Sequence, residues 1–398
     1  MTSSETPRRG IWYYGWTIVL VCVLCQFTVN ALTYSTFTLY VQAWSREFSV
    51  PVSTLQFAML GMMVVVAAAC PIVGVLVDRF STKSLLVCGL IGMVAFYFSV
   101  SLAARTWQLI ALYGILAPIP FSLSNSIPVN ALISRWFTRR LGLALGLSAF
   151  GLGMAGVLLP PLVAALLPVL GWRMIWRIGA FLILFAVLPL IILVVRQSPT
   201  AREGLHYVED TSRAVPLHKP ASLQAVRLRD ILMRPNFWLL IGAYVPMLGL
   251  NDAVAQNLSP YVASLGWDQR TAAGLLSVLS FSNLLATLLL GIFSDRFGNR
   301  VPLLLLTGAT ATGGVLFALG GGLPVIALAC AFIGFAGGIN TLMAATLAAE
   351  FGAKGFGRAF GMSLFFIPFL PLSAVVTARV KEVSGSYTPA FFVLSVLL

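Results

Sequence analysis

Charge is the first thing this chain lacks. Of its 398 residues only 9% are Asp, Glu, Lys or Arg, against 59% hydrophobic, and the mean hydropathy is +0.95. Soluble domains carry about 25% charged residues, so most of this surface does not face water. Histidine is nearly absent too: His206 and His218 are the two present, and both fall in one polar stretch. That leaves the apolar segments without histidine ligands or bases. The five cysteines (Cys22, Cys25, Cys70, Cys88, Cys330) all lie inside apolar runs. A disulfide framework places an even number in loops, and Cys22-x-x-Cys25 lacks the second ligand pair of a zinc site. All five are expected to be small buried hydrophobes. No Walker-type phosphate loop occurs, which excludes ATP-driven pumping. These absences argue against an enzyme and against any cofactor.

What is present is a series of long apolar runs. A membrane-spanning helix needs about 20 mostly apolar residues. Candidate spans lie near 16–41, 53–77, 84–104, 107–134, 140–170 and 173–195. A polar stretch from Arg196 to about Pro235 follows. Further spans lie near 236–264, 271–293, 301–320, 324–350 and 356–382, with an apolar tail from about 387. The first run is too long for the roughly 7–15-residue core of a cleavable signal. The tail ends at Leu398, too early to cross, so the last helix is expected to be truncated. The chain therefore divides into residues 1–195, a linker at 196–235, and residues 236–398. The fold class expected is an all-α polytopic membrane protein.

The net charge of +13 does not mark a nucleic-acid surface, because the basic residues sit in short clusters between apolar runs. With the N-terminus inside, eighteen of the 25 Lys and Arg fall in inner loops, the linker and the N-terminal tail. The bias places the N-terminus and the linker in the cytoplasm, in a bacterial inner membrane or a plasma membrane. The linker histidines are read as solvated loop residues.

The two halves echo each other. Gly74-Val75-Leu76-Val77-Asp78-Arg79-Phe80 closes span two, and Gly291-Ile292-Phe293-Ser294-Asp295-Arg296-Phe297-Gly298 closes span eight. Both the glycines and the aspartates are 217 positions apart. A weaker echo joins Arg140-Leu141-Gly142-Leu143-Ala144-Leu145-Gly146 to Arg358-Ala359-Phe360-Gly361. Duplication of this kind implies two related six-helix bundles with a substrate site between them near the midplane. In each motif the glycine is expected to let helices approach closely. The aspartate is expected to bond helix N-termini or an arginine, Arg135 being the partner for Asp78. Gly74, Asp78, Arg79, Arg135, Gly291, Asp295 and Arg296 are thus candidate gating residues.

In these motifs the chain resembles the major facilitator superfamily, and it does so over its whole length. Five stretches resemble its monocarboxylate and oxalate/formate transporter branch. They are Tyr13-Tyr14-Gly15-Trp16, Arg135-Trp136-Phe137-Thr138-Arg139-Arg140, Gly171-Trp172-Arg173, Arg234-Pro235-Asn236-Phe237-Trp238, and Gly385-Ser386-Tyr387-Thr388-Pro389-Ala390-Phe391. Gly151-Leu152-Gly153-Met154-Ala155-Gly156 followed by Pro160-Pro161 also suits that branch. The resemblance implies a twelve-helix fold of six plus six. It also implies a lysine in span one and an Asp-x-x-x-Arg pair in span eight, but those positions hold Gln42, Asn283 and Thr287.

The spans instead hold uncharged polar side chains. Asn30, Tyr34, Gln42, Asn125, Asn130, Asn251, Asn283, Thr287 and Asn340 are the candidate substrate contacts, and Asn283 and Thr287 share a helix face. Asp252 is the carboxylate set well inside a span, which makes it a functional hypothesis by default and the candidate proton carrier. The alternative is that Asp252 lines a hydrated break near Gly249 and Asn257. Prolines at 118, 120 and 128, at 246, and at 368 and 371 imply broken helices around a cavity. The function expected is transport of a small organic anion of the monocarboxylate kind, by proton symport or exchange through alternating access. A facilitator of neutral solutes, which the three missing charges favour, and a non-transporting sensor or receptor are the alternatives. The partners expected are the solute, protons and the lipid bilayer, with the chain acting as a monomer.

Overall fold

In the computed structural model, residues 13–137, 141–197, 232–297, 300–340, 342–343, 346–347, 362–363 and 366–398 are described. They are helical almost throughout. The helices are apolar on every face, as befits elements that pack on protein on one side and hydrocarbon on the other. Six of them are long and apolar enough to cross a membrane, or seven if one bent pair counts as a single span.

The first span is α1 (Tyr14–Asn30), a π-helical segment (Ala31–Ser35) and α2 (Phe37–Phe48). α3 (Val52–Arg79) and α4 (Thr82–Ser101) are continuous. The fourth span is broken into α5 (Thr106–Ala111), a second π segment (Leu112–Leu116), α6 (Pro118–Ser124) and α7 (Ser126–Trp136), with a bend of 44°. α8 (Leu141–Leu182) turns back at Gly171, whose φ of 70° is open to glycine at little cost. A third π segment (Ile183–Val187) and α9 (Leu188–Val194) complete the sixth span.

Beyond the linker come α10 (Pro235–Ser264), α11 (Gln269–Phe297) and α12 (Arg300–Leu319). They are followed by α13 (Leu323–Gly334) with a 3-10 extension (Phe335–Gly338), α14 (Phe369–Ser384) and α15 (Thr388–Val396). We call the end bearing Val194 and Pro235 the linker end, and the opposite end the far end.

The proline-driven break is chemically repaired. Pro128 has no N–H to offer the carbonyl of Ser124 four residues earlier, and the Cys25 thiol donates to that oxygen at 3.4 Å. Asn125 forms the break, with an extended backbone between α6 and α7. The cysteine expectation needs one correction. Cys22, Cys25 and Cys330 are buried, but Cys70 is half-buried and Cys88 is exposed on the outer face of α4.

The sequence motifs pack on one another. At the linker end, Tyr13 donates to the Trp136 carbonyl and Tyr14 to that of Val194 at 2.6 Å. Trp136 Nε1 donates to the Arg196 carbonyl at 3.0 Å. At the far end, Glu47 accepts from Trp172 Nε1 and from Arg173 Nη1, each at 2.6 Å. The glycine motif of α8 brings helices into backbone contact. A Cβ on Gly151 would sit 2.7 Å from the Val23 carbonyl oxygen of α1, and one on Gly156 would sit 2.5 Å from Ser280 Oγ of α11. Among the described residues Gly74 does not behave this way: a Cβ there would meet none of their atoms within 4 Å.

Overpacking a tight contact costs about 1–3 kcal/mol. Gly151→Ala is therefore expected to lower thermal stability by that amount, and Gly74→Ala to leave it unchanged. Equal melting temperatures for the two variants would contradict this packing.

Candidate functional site

Near mid-span the two halves meet through one side-chain pair. Tyr34, on the π segment of span one, donates its phenol hydrogen to Asp252 Oδ1 at 2.7 Å. Asp252 projects from α10 and is 3% exposed. Its second oxygen is buried without a hydrogen-bond partner among the described residues. Leaving a buried carboxylate oxygen unsatisfied is costly. Gln256, one turn further along α10, lies beside both Tyr34 and Asp252. The hydrated-break alternative for Asp252 is corrected: α10 runs unbroken through this region. Nearby Asn257 spends its amide on the carbonyls of Ala253 and Ala374.

A second polar group lies in the C-terminal half. Tyr244 donates to Asn340 Oδ1 at 3.1 Å, and Asn251 Nδ2 donates to the Ile333 carbonyl at 3.2 Å. Tyr244 lies in the neighbourhood of Tyr34. Tyr34, Asp252, Asn251 and Asn340 are the sequence-derived candidates that fall in or beside this region.

The others are placed differently. Asn30 bonds the Gln26 carbonyl on its own helix. Gln42 lies half-buried toward the far end of α2. Asn125 accepts from its neighbour Ser126 at 3.2 Å, and Asn130 is exposed on α7. Asn283 lies flat against Gly337, where an added Cβ would come within 1.8 Å of its Oδ1. Thr287 Oγ1 bonds the Asn283 carbonyl at 2.9 Å. Of the nine polar residues, the structure groups Tyr34, Asn251 and Asn340 with Asp252, on span one, α10 and the residues just after α13. Most of the remaining polar side chains satisfy nearby backbone.

For the gating motifs, Arg135 Nη2 donates to the Val77 carbonyl at 3.3 Å, beside Asp78. Both helices belong to the N-terminal half, so the contact ties α7 to α3 and does not by itself latch one half to the other. Arg79 is exposed. The side chains of Asp78, Gly291, Asp295 and Arg296 lie outside the described residues.

Among the described residues, several hydrogen bonds join the halves toward the far end. Glu382 of α14 accepts from the Ser53 backbone N–H at 3.0 Å and from Ser53 Oγ at 2.7 Å. Ser53 lies in the first turn of α3, where N–H groups have no partner within the helix and the helix dipole favours an anion. Gln56 Nε2 bonds the Gln256 carbonyl at 2.8 Å, and Gln269 Nε2 bonds that of Leu39 at 3.0 Å. Ser277 Oγ donates to the Val157 carbonyl at 2.7 Å. The roles of Gln256 and Glu382 have no sequence signal beyond their residue type. Gln256 alone has a detectable relation, being four residues from Asp252 on one helix face. Among the described residues no group of three or more His, Cys, Asp or Glu is placed to hold a metal ion.

A family model described as Major Facilitator Superfamily matches residues 20–375. MFS-type transporter 1 of Ophiocordyceps sp. (strain BCC 1869) is 26% identical over 394 residues, covering 96% of this chain and 82% of that protein. Monocarboxylate transporter 12 of Homo sapiens is 24% identical over 422 aligned positions, covering 98% and 78%. Among solved structures, a bacterial homolog of the human lysosomal transporter Spinster, inward-facing and unoccupied, superimposes with a TM-score of 0.76 at 16% identity, covering 98% and 95%. The nucleoside transporter NupG gives a TM-score of 0.69 at 16% identity, covering 96% and 97%. The likeness to these structures is one of fold.

Hydrogen bonds to a charged group contribute about 1.5–3 kcal/mol. Glu382→Ala is thus expected to raise far-end accessibility about tenfold or more. The readout is labelling of a Gln42→Cys reporter by a membrane-impermeant maleimide. An unchanged labelling rate would show that these bonds do not hold the far end shut.

Proposed function

The chain belongs to the major facilitator superfamily, and on that premise we propose that it is a secondary active transporter moving a small organic anion of the monocarboxylate class together with a proton. The observation that carries the proposal is the Tyr34–Asp252 bond between the two halves, with the other Asp252 oxygen unpartnered among the described residues. A carboxyl at membrane depth is costly when charged and unpaired. It therefore exchanges its proton most readily in the state that opens it to water. Because the bond joins the halves, loading that carboxyl and rocking the halves become one coupled event.

On this reading residues 1–195 and 236–398 are the two moving bundles, with 196–235 between them. The far-end bonds belong to the state open toward the linker. The excess of Lys and Arg on the linker side places that side in the cytoplasm, in a bacterial inner membrane or a plasma membrane, with the chain working as a monomer. The carboxylate of the solute meets hydroxyl and amide donors, drawn from Tyr34, Asn251 and the Tyr244–Asn340 pair. Similarity to Monocarboxylate transporter 12 over nearly the whole chain supports the anion class.

A second reading has its own support. Gln42, Asn283 and Thr287 supply no charge, and Asn283 and Thr287 pack on Gly337 and on backbone. A neutral solute would suit such a site. Thermal-shift measurements of the purified protein against monocarboxylates and matched neutral amides or alcohols separate the two, since a binder raises stability by mass action. Stabilisation by the neutral series alone would overturn the anion assignment.

The coupling role is tested in vesicles. Asp252→Asn is expected to abolish uptake driven by a pH gradient while preserving solute exchange at equal pH. Full gradient-driven uptake in that variant would remove Asp252 as the proton carrier.

A further inference from the structure

We propose that Tyr97 is a positioning residue: its hydroxyl is wedged into the backbone ladder of span one and so sets the π segment that aims Tyr34 at Asp252. The inference rests on the reading of Tyr34 and Asp252 as the coupling pair. In an unbroken α-helix the Leu32 N–H would bond the Thr28 carbonyl and the Thr33 N–H that of Val29. Here the Tyr97 hydroxyl stands 3.1 Å from both of those carbonyl oxygens. On its other side Thr33 Oγ1 is 3.1 Å away. A phenol has one hydrogen to share and lone pairs to receive, so one group meets two carbonyls and a hydroxyl of span one at the edge of the π segment.

Insertion of a side chain into the i to i−4 ladder is one of the few causes of sharp helix distortion. The distortion begins at the next turn. Ala31–Ser35 is π-helical, and Thr36 Oγ1 closes the segment by bonding the Ala31 carbonyl at 2.9 Å. Tyr34 lies within it. A π turn holds an extra residue, so the direction of every later side chain depends on the segment's presence.

The wedge is itself held firmly. The Tyr97 ring packs edge-on to Trp176 at 5.0 Å between centroids and tilted against Phe96 at 5.8 Å. Space for it is cleared by Gly179, where a Cβ would lie 3.1 Å from Tyr97 Cδ2 and 2.3 Å from Leu32 Cδ1. Tyr113, in the same aromatic cluster, keeps a buried hydroxyl with no partner among the described residues. Packing in this cluster therefore does not require a hydroxyl, and that of Tyr97 answers to the π segment.

The test is infrared spectroscopy of the full chain in lipid nanodiscs, with the Asp252 carboxyl band assigned by its loss in Asp252→Asn. Tyr34→Phe is expected to shift the band. Tyr97→Phe should shift it in the same sense by at least half as much, and Tyr113→Phe should leave it in place. A band that moves in Tyr34→Phe but not in Tyr97→Phe overturns the proposal, as does an equal shift in Tyr113→Phe or no shift in Tyr34→Phe. If Tyr97→Phe does not fold, Thr33→Val replaces it, with a smaller shift expected in the same sense and no shift counting against the wedge. Failure of the parent reading looks different: Asp252→Asn then keeps its gradient-driven uptake, whatever the band does.

Discussion

Within hydrocarbon a backbone amide or carbonyl has no water to turn to, and each one left open costs several kcal/mol. That constraint governs this molecule more than any single contact. It makes the described residues helical almost throughout, and it shapes how their interruptions are repaired. The carbonyl freed by Pro128 is met by the thiol of Cys25, and two carbonyls just before the π segment of span one are met by the phenol of Tyr97. Free backbone at the start of α3 is met by a carboxylate from the other half. Irregular backbone is thus a set of sockets, and the side chains filling them determine which helices touch.

Two kinds of contact divide the labour. Contacts within a half are aromatic and permanent in character, such as the Tyr13, Trp136 and Phe137 group and the Glu47 clamp to Trp172 and Arg173. Contacts between halves are mostly single hydrogen bonds to backbone, joined by the Tyr34–Asp252 pair. The α8–α11 seam adds close approach at Gly153 and Gly156. Such an arrangement lets each half hold its shape while the seam between them is remade.

Much of the scaffold was legible because hydropathy and periodic duplication report directly on solvent. The spans near 84–104 and 236–264 are found as Thr82–Ser101 and Pro235–Ser264. Gly171 falls in the expected turn between spans five and six. Asp252 was legible because an isolated carboxyl in an apolar run has few structural uses. The rest of the site was not. Tyr97 lies 64 residues from Thr33 in a run that reads as ordinary core. Glu382 reads as a surface charge until the fold brings Ser53 to it. A polar residue inside a predicted span says nothing about which way it faces: Asn130 is exposed and Gln42 half-buried.

The bond between Ser53 and Glu382 spans 329 positions of sequence. A ribosome working at roughly 5–20 residues per second needs on the order of 15–65 s to cover that distance. Throughout that interval the first turn of α3 sits at the membrane surface without its cap. The N-terminal helices must therefore be inserted and held by their own aromatic contacts before the far end can shut. The helix bearing Glu382 arrives as the clasp, so the far end can shut only after synthesis has passed that residue.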